Sequence, residues 1–123
     1  MATILVLDDS STMVMSLARI LKKAGYDVAT ATKGQDGLSQ LNGGLKPAAI
    51  ITDLNMPEMD GITFIKAVRR LPACRFTPII VLTTESGLGK SGEARAAGAT
   101  GWLTKPTEPE LLIATVKQFA PAG

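Results

Sequence analysis

The sequence lacks histidine altogether and has one cysteine among its 123 residues. Without an imidazole, Ser-His-Asp catalysis, Cys-His catalysis and histidine-ligated zinc are all excluded. The single cysteine, Cys74, cannot form an intrachain disulfide, a redox pair or a thiolate metal site. We therefore expect Cys74 to pack as a small apolar residue in a reducing compartment.

Long apolar runs and aromatic clusters are also missing. The longest apolar run near the N-terminus, Ile4 to Leu7, is too short for a signal peptide or a membrane span. This predicts a cytoplasmic protein with no membrane partner. Basic residues occur in runs of two at most and are not interleaved with the five aromatic residues, so no nucleic-acid partner is predicted.

The sequence does contain a regular alternation of apolar strands and amphipathic helices. Strands are predicted at 4–7, 27–31, 48–52, 78–82 and 102–104, with a helix after each one. This alternation predicts one α/β domain over residues 1–123, with no output domain, built on a doubly wound parallel sheet. We expect right-handed crossovers and the flavodoxin-like strand order 2-1-3-4-5.

The predicted fourth helix, residues 86–97, is rich in glycine at its start. An interior glycine costs about 1 kcal/mol relative to alanine, so Gly87, Gly89 and Gly92 predict a mobile first half. The same stretch contains the Gly-Lys-Ser of a nucleotide-binding P-loop, which raises an NTPase as an alternative. The full motif needs a further glycine at the position of Thr84, which argues against that alternative.

Helix caps give local signals at both ends of the chain. Thr107 and Glu110 have the spacing of a capping box, which predicts Thr107 as the N-cap of the last helix. At the first helix, Asp9, Ser10 and Ser11 compete for the N-cap position. Asp9 therefore has a structural explanation beside the chemical one that follows.

Polar residues stand at the carboxyl ends of four predicted strands: Asp8-Asp9, Asp53, Thr83 and Lys105. Open parallel sheets bind ligands in the crevice outside those ends, so these side chains are expected to converge. Three converging carboxylates repel one another, and a hard cation such as Mg²⁺ would compensate them because every ligand is an oxygen. With a lysine and a hydroxyl facing the same space, the set indicates a site that handles phosphoryl groups, with a carboxylate as possible nucleophile.

Four motifs follow in order along these strand ends: Asp8-Asp9, Asp53 with the loop 53–61 (DLNMPEMDG), Thr83, and Lys105-Pro106. Together they resemble the receiver domain of two-component response regulators over essentially the whole chain. Residues 9–13 (DSSTM) are further similar to the stand-alone chemotaxis regulators of the CheY type.

The resemblance implies that Asp53 accepts a phosphoryl group from a sensor histidine kinase. It also implies that Asp8, Asp9, the Asp53 carboxylate and the backbone carbonyl of Asn55 hold Mg²⁺. Lys105 would bind a phosphoryl oxygen, and the peptide bond after Lys105 would be cis. Because the sequence contains no histidine, the phosphoryl group must come from another protein or a small molecule.

The resemblance also implies a switch and a docking face. Asn55 and Glu85 would modulate the loss of the acyl phosphate, while Thr83 and Trp102 would move together on phosphorylation. A downstream protein would dock on the fourth helix, last strand and last helix, and the candidate contacts are Lys90, Arg95, Trp102 and Lys117. The competing explanation for Trp102 is a large side chain that covers the edge of the sheet.

These features predict a monomeric stand-alone response regulator, not an enzyme, that assists its own phosphorylation and dephosphorylation in chemotaxis or flagellar motor control. One open alternative is a phosphorelay shuttle or another single-domain regulator outside chemotaxis. A second is a receiver-like interaction module that is never phosphorylated. A flavodoxin-type flavin carrier is disfavoured because no phosphate loop rich in Ser, Thr and Gly follows the first strand.

Overall fold

A computed structural model describes residues 2–85 and 88–121, except the side chain of Leu88. Within these ranges five strands alternate with five helices and one short 3-10 turn. None of the helices in the described part of the chain combines the length and apolarity needed to cross a membrane. The elements are β1 (Thr3–Leu7), α1 (Ser11–Lys23), β2 (Asp27–Ala31), α2 (Gly34–Asn42), β3 (Ala49–Thr52), α3 (Gly61–Arg69), the 3-10 turn (Pro72–Cys74), β4 (Ile79–Thr83), α4 (Leu88–Ala97), β5 (Gly101–Thr104) and α5 (Pro109–Phe119).

The five strands form one parallel sheet in the order β2-β1-β3-β4-β5, which confirms the predicted fold class. β1, β3 and β4 are interior strands whose residues are nearly all buried. This burial on both faces explains why their sequences are continuous apolar runs and do not alternate with polar residues. In a parallel sheet all carboxyl ends lie at one edge, so the residues after these strands are brought together.

Side chains from alternate strand positions enter two core layers. Leu5 and Leu7 of β1 pack on the side covered by α2, α3 and α4, while Ile4 and Val6 pack against α1 and α5. Cys74 is a free thiol in the first layer with 3% of its surface exposed, which confirms its predicted packing. The two layers hold the sheet rigid beneath the residues at its edge.

The N-caps of α1 and α5 differ in how they are made. Ser10 caps α1, because its hydroxyl accepts the Met13 N–H at 3.2 Å. Glu108 is the N-cap of α5 and makes no side-chain capping bond, while the buried Thr107 hydroxyl has no hydrogen-bond partner. The predicted capping box is therefore wrong. Pro109 takes the first helical position, which its fixed φ suits, and this moves the cap one residue beyond Thr107.

α4 is the least anchored helix in the described part of the chain. Ala94 is its one buried residue there, and a Cβ on Gly89 or Gly92 would have no atom of another element within 4 Å. Ser86 and Gly87 lie outside the described residues, so the predicted mobile first half stays a prediction. Gly89, Lys90 and Ser91 lie in the first turn of α4, so the residue that argues against the P-loop alternative stays Thr84, which stands where the motif needs glycine.

Arg69 ties the end of α3 to two neighbouring segments. Its Nε and Nη2 donate to the Gly98 carbonyl at 3.2 and 2.7 Å, and its Nη1 donates to the Cys74 carbonyl at 2.7 Å. Gly98 has φ +123°, and a Cβ there would stand 2.7 Å from Arg69 Nε. The contact needs glycine at the end of α4 and fixes that end against α3.

Tyr26 joins the start of β2 to the end of α5. Its side chain is 1% exposed, and its hydroxyl donates to the Ala120 carbonyl at 2.5 Å. Burial raises the pKa of Tyr26 above its ordinary value of 10.0. The buried phenol therefore stays neutral to a higher pH than an exposed one would.

Candidate functional site

Backbone hydrogen bonds continue the sheet to the predicted site residues. The Asp53 N–H donates to the last carbonyl of β1 at 3.1 Å, and the Asp8 N–H donates to the last carbonyl of β2 at 3.3 Å. The Lys105 N–H donates to the Thr83 carbonyl at 2.8 Å. Each of these three backbones is thus fixed by a neighbouring strand, and the side chains extend from the same edge of the sheet.

Lys105 joins two buried carboxylates. Its Nζ lies 2.5 Å from Asp8 Oδ2 and 3.1 Å from Asp53 Oδ2, and the three side chains are 13, 3 and 9% exposed. Burial by itself would lower the pKa of Lys105, but the hydrogen bonds to Asp8 and Asp53 and the negative charges of both carboxylates together raise the pKa by more. The net pKa lies above the ordinary 10.5, so the site keeps a fixed positive charge at neutral pH.

The second Asp53 oxygen is held by the loop that follows. Asp53 Oδ1 accepts the Leu54 N–H at 2.7 Å and the Asn55 N–H at 3.4 Å. The loop returns so closely that a Cβ on Gly61 would stand 2.3 Å from the Asp53 carbonyl oxygen. Gly61 is therefore needed to let α3 begin against the backbone of Asp53 and Leu54.

Asp8, Asp9 and Asp53 form an acidic cluster. Each offers a carboxylate oxygen within 4.8 Å of the others, with Asp8 and Asp53 buried and Asp9 exposed. Asp8 Oδ1 also accepts the Ser10 N–H at 2.9 Å, which fixes that carboxylate. An all-oxygen set of this size with one open side suits a hard divalent cation, which keeps some of its own water ligands.

Thr83 and Glu85 extend the site along β4, opposite Asn55. Thr83 is fully buried, and its hydroxyl accepts the Glu85 N–H at 3.4 Å. Asn55 and Glu85 both line a groove of about 560 Å³ between α3 and α4, together with Leu54, which directly follows Asp53. The structure therefore brings both predicted modulating residues to the edge of the same cavity.

Comparison with known families identifies this arrangement. The model of the response regulator receiver domain matches residues 4–117, which is most of the chain. The chain is a response regulator receiver domain. It is therefore a signalling domain and not an enzyme with a turnover substrate.

Two relatives illustrate how close the relationship is. The chain is 34% identical to protein PilG of Pseudomonas aeruginosa over 119 residues, covering 97% of this chain and 87% of that protein. It is 38% identical to chemotaxis protein CheY1 of Helicobacter pylori over 110 residues, covering 89% of each. The receiver is thus homologous to stand-alone chemotaxis regulators over nearly their whole length.

A solved structure agrees with the fold. The chemotaxis response regulator CheY4 of Vibrio cholerae superimposes with a TM-score of 0.91 and 43% identity, over 97% of this chain and 98% of that chain. The five-stranded order and the five helices of this receiver are therefore those of a CheY-like protein.

Three of the four predicted docking residues of the receiver lie along α4, β5 and α5, and Lys90 lies in a separate groove. Arg95 and Trp102 line a small cleft between α4 and β5, and Trp102 is half-buried against the core. Lys117 is exposed on the last turn of α5, the helix whose Phe119 packs beside β5 at Gly101. Lys90 instead lines the groove between α3 and α4, where its Nζ lies 3.4 Å from Glu93.

Other residues of the receiver site were not predicted from the sequence. Ser10 and Leu54 orient Asp8 and Asp53 through backbone N–H groups. Nearly every residue type has such a group, so no sequence motif predicts these contacts. Gly61 carries a signal, since an Asp-Gly pair marks a turn. Its contact with the Asp53 carbonyl depends on tertiary packing. The Lys105-Pro106 bond is cis, as the resemblance implied.

Proposed function

We propose that this receiver accepts a phosphoryl group on Asp53 and signals by phosphorylation-dependent docking in chemotaxis. The observation that carries the proposal is the Lys105 ammonium, held 2.5 Å from Asp8 and 3.1 Å from Asp53. A fixed cation next to a carboxylate nucleophile stabilises the charge that develops on the phosphoryl oxygens during transfer.

In the proposed reaction an Asp53 carboxylate oxygen forms a bond to phosphorus while the P–N bond to a donor imidazole breaks. The proposed donor is a phosphohistidine of a sensor histidine kinase, since this sequence contains no histidine that could supply the donor imidazole itself. Lys105 then contacts a phosphoryl oxygen in place of the Asp53 oxygen. Water later cleaves the acyl phosphate, and Asn55 and Glu85 set the rate from the edge of the groove.

We propose that Asp8, Asp9 and Asp53, with the Asn55 backbone carbonyl, hold Mg²⁺ in this reaction. Three carboxylate oxygens within 4.8 Å of one another support the choice, since Mg²⁺ takes hard oxygen ligands. When bound, the ion neutralises charge on the transferring phosphoryl group. The carboxylates themselves orient the ion and the acceptor oxygen on one edge of the sheet.

The proposed signal leaves the site through α4, β5 and α5 to a downstream protein. Thr83 pairs with Thr104 in the sheet, two residues beyond Trp102, so a shift of Thr83 toward the phosphoryl group reaches the Trp102 cleft directly. Arg95, Trp102 and Lys117 are the main proposed contacts, with Lys90 at the margin. The protein is proposed to act as a cytoplasmic monomer.

Trp102 is the one tryptophan in the sequence and serves as a reporter for this proposal. We expect Mg²⁺ and then a small phosphodonor to change its fluorescence in wild type. We expect no donor response in Asp53→Asn, while Asp36→Asn, the same change at an exposed helix start, responds normally. Intact mass spectrometry counts the added phosphoryl group in each protein. A donor response that persists in Asp53→Asn would refute Asp53 as acceptor.

The pathway needs a separate test. CheY1 and CheY4, two of the relatives described above, are chemotaxis proteins by name, which supports the choice of chemotaxis. We expect a strain without this gene to lose directed swimming and to regain it with wild type but not with Asp53→Asn. Normal chemotaxis in the deletion strain would favour a phosphorelay shuttle or another pathway.

A further inference from the structure

Charge is divided between the two ends of this receiver. In a parallel α/β domain the helices run back against the strands, so strand starts and helix ends share one end. That end consists of the last helical turns, the strand starts and the connections that join them. It carries nine basic residues and one acidic residue, Asp27. The opposite end carries the acidic cluster. The molecule therefore presents a basic end far from the site described above.

Helix dipoles explain part of this distribution but not all of it. Cations in the last turn of a helix complement its negative end, which accounts for pairs such as Lys22 and Lys23. Lys46 lies in the connection into β3, and Arg75 follows the 3-10 turn before β4. Neither residue lies in the last turn of an α-helix, so interaction with a helix dipole does not account for their positive charge.

An exposed aromatic residue stands among these cations. Phe76 has 89% of its surface exposed, more than Met15 or Leu111, the other large apolar residues that are exposed in the described part of the chain. The Arg75 guanidinium carbon lies 5.8 Å from the centre of the Phe76 ring. Aromatic residues and arginine are the side chains most enriched where protein interfaces gain their affinity.

The cations around Phe76 are available to a partner. Within residues 2–85 and 88–121, the ion pairs are made by Lys90 and Lys105, not by Lys46, Arg70 or Arg75. All three of the latter are exposed. Lys46 and Phe76 lead into the adjacent strands β3 and β4, whose starts are joined by the Ile50 N–H to Pro78 carbonyl bond at 2.9 Å. The four residues thus share the edge of the sheet where the strands begin.

We propose that Lys46, Arg70, Arg75 and Phe76 form a docking surface for an acidic segment of a partner protein that carries an apolar side chain. Charge complementarity selects an acidic partner, and Phe76 supplies the apolar contact. A lipid surface is disfavoured, since this patch offers one apolar side chain and no amphipathic helix to enter the bilayer.

The proposed docking does not depend on phosphorylation and goes beyond the proposed function. β3 and β4 separate this surface from Asp53, and strands of four or five residues span roughly 15 Å at about 3.3 Å per residue. A segment bound to the basic end leaves the acidic cluster open to a phosphodonor. The surface is suited to holding the receiver near its signalling partners in either state.

The test uses a fluorescein-labelled peptide of glutamates with two leucines, measured by anisotropy at low ionic strength. We expect at least tenfold weaker binding in Arg75→Glu and at least threefold weaker binding in Phe76→Ala. Lys33→Glu, the same charge change at the other end, and Leu111→Ala, an exposed apolar truncation elsewhere, serve as matched controls and should bind within twofold of wild type. In NMR spectra the peptide should shift amides around 46 and 70–76.

Several results would overturn this assignment. Wild-type affinity in Arg75→Glu, equal loss in Lys33→Glu, or peptide shifts confined to other residues would each do so. Binding to phosphatidylserine vesicles or duplex DNA in place of the peptide, lost in Arg75→Glu, would assign the surface to another class of partner. Unchanged peptide affinity in Asp53→Asn is expected, so failure of the phosphorylation experiment leaves this test intact.

Discussion

Replacing Asp9 by asparagine is expected to stabilise the protein when Mg²⁺ is absent. The Asp9 carboxylate lies within 4.8 Å of those of Asp8 and Asp53, and two unit charges at that separation repel by about 0.9 kcal/mol in a water-like dielectric. Two such repulsions act on Asp9, and the one ammonium of Lys105 offsets about one of them. The free energy of unfolding of Asp9→Asn should therefore exceed that of wild type by about 1 kcal/mol.

Adding Mg²⁺ is expected to cancel this advantage. At a hundred times its dissociation constant, a bound ion stabilises the folded wild type by about 2.7 kcal/mol. A variant that binds ten times more weakly gains about 1.4 kcal/mol under the same conditions. Compared with wild type, Asp9→Asn therefore gains less stability from Mg²⁺ binding. This difference is about as large as the stability that the variant gains from reduced repulsion when the ion is absent.

Urea unfolding followed by Trp102 fluorescence measures both effects, first with a chelator and then with increasing Mg²⁺ at constant ionic strength. Asp27→Asn is the matched control, because Asp27 is exposed at the start of β2, at the opposite end of the sheet. We expect its stability to stay within about 0.5 kcal/mol of wild type at every Mg²⁺ concentration. An Asp9→Asn protein that is no more stable than wild type without the ion, or that gains as much with it, would refute the reasoning.

Three further predictions concern stability. The raised pKa of Tyr26 means that the folded state keeps the phenol proton to a higher pH than the unfolded state does, so the free energy of unfolding should fall as pH rises past 10. Tyr26→Phe should reduce this fall when urea unfolding is compared at pH 9 and 10.5. Gly89→Ala and Gly92→Ala should each stabilise α4 by about 1 kcal/mol, seen as added amide-exchange protection over 88–92; strong protection there in wild type would contradict the predicted mobile start. Arg69→Met removes three hydrogen bonds and should cost about 2–3 kcal/mol in chemical unfolding, whereas equal loss in the exposed neighbour Arg70→Met would show that the bonds contribute little.

The predictions from sequence succeeded where a local pattern fixes a global arrangement. Apolar runs alternating with helical stripes predicted the parallel sheet, and the polar residues after those runs had to meet at one edge. They failed at Thr107, where a four-residue spacing suggested a cap but Pro109 determined the start of α5. The predicted docking face groups Lys90 with Arg95 and stays a prediction, while the structure places the two residues at different clefts on either side of α4.

The sequence by itself determined the fold class, the end of the sheet that bears the site and the chemistry of its residues, because these depend on which residue types follow which strands. Tertiary structure alone decided how Lys105 is shared between Asp8 and Asp53, and why Gly61 must lie against the Asp53 carbonyl. It also decided that Phe76 stands exposed beside Arg75. Distances between residues far apart in the chain follow from packing, and no local spacing encodes them.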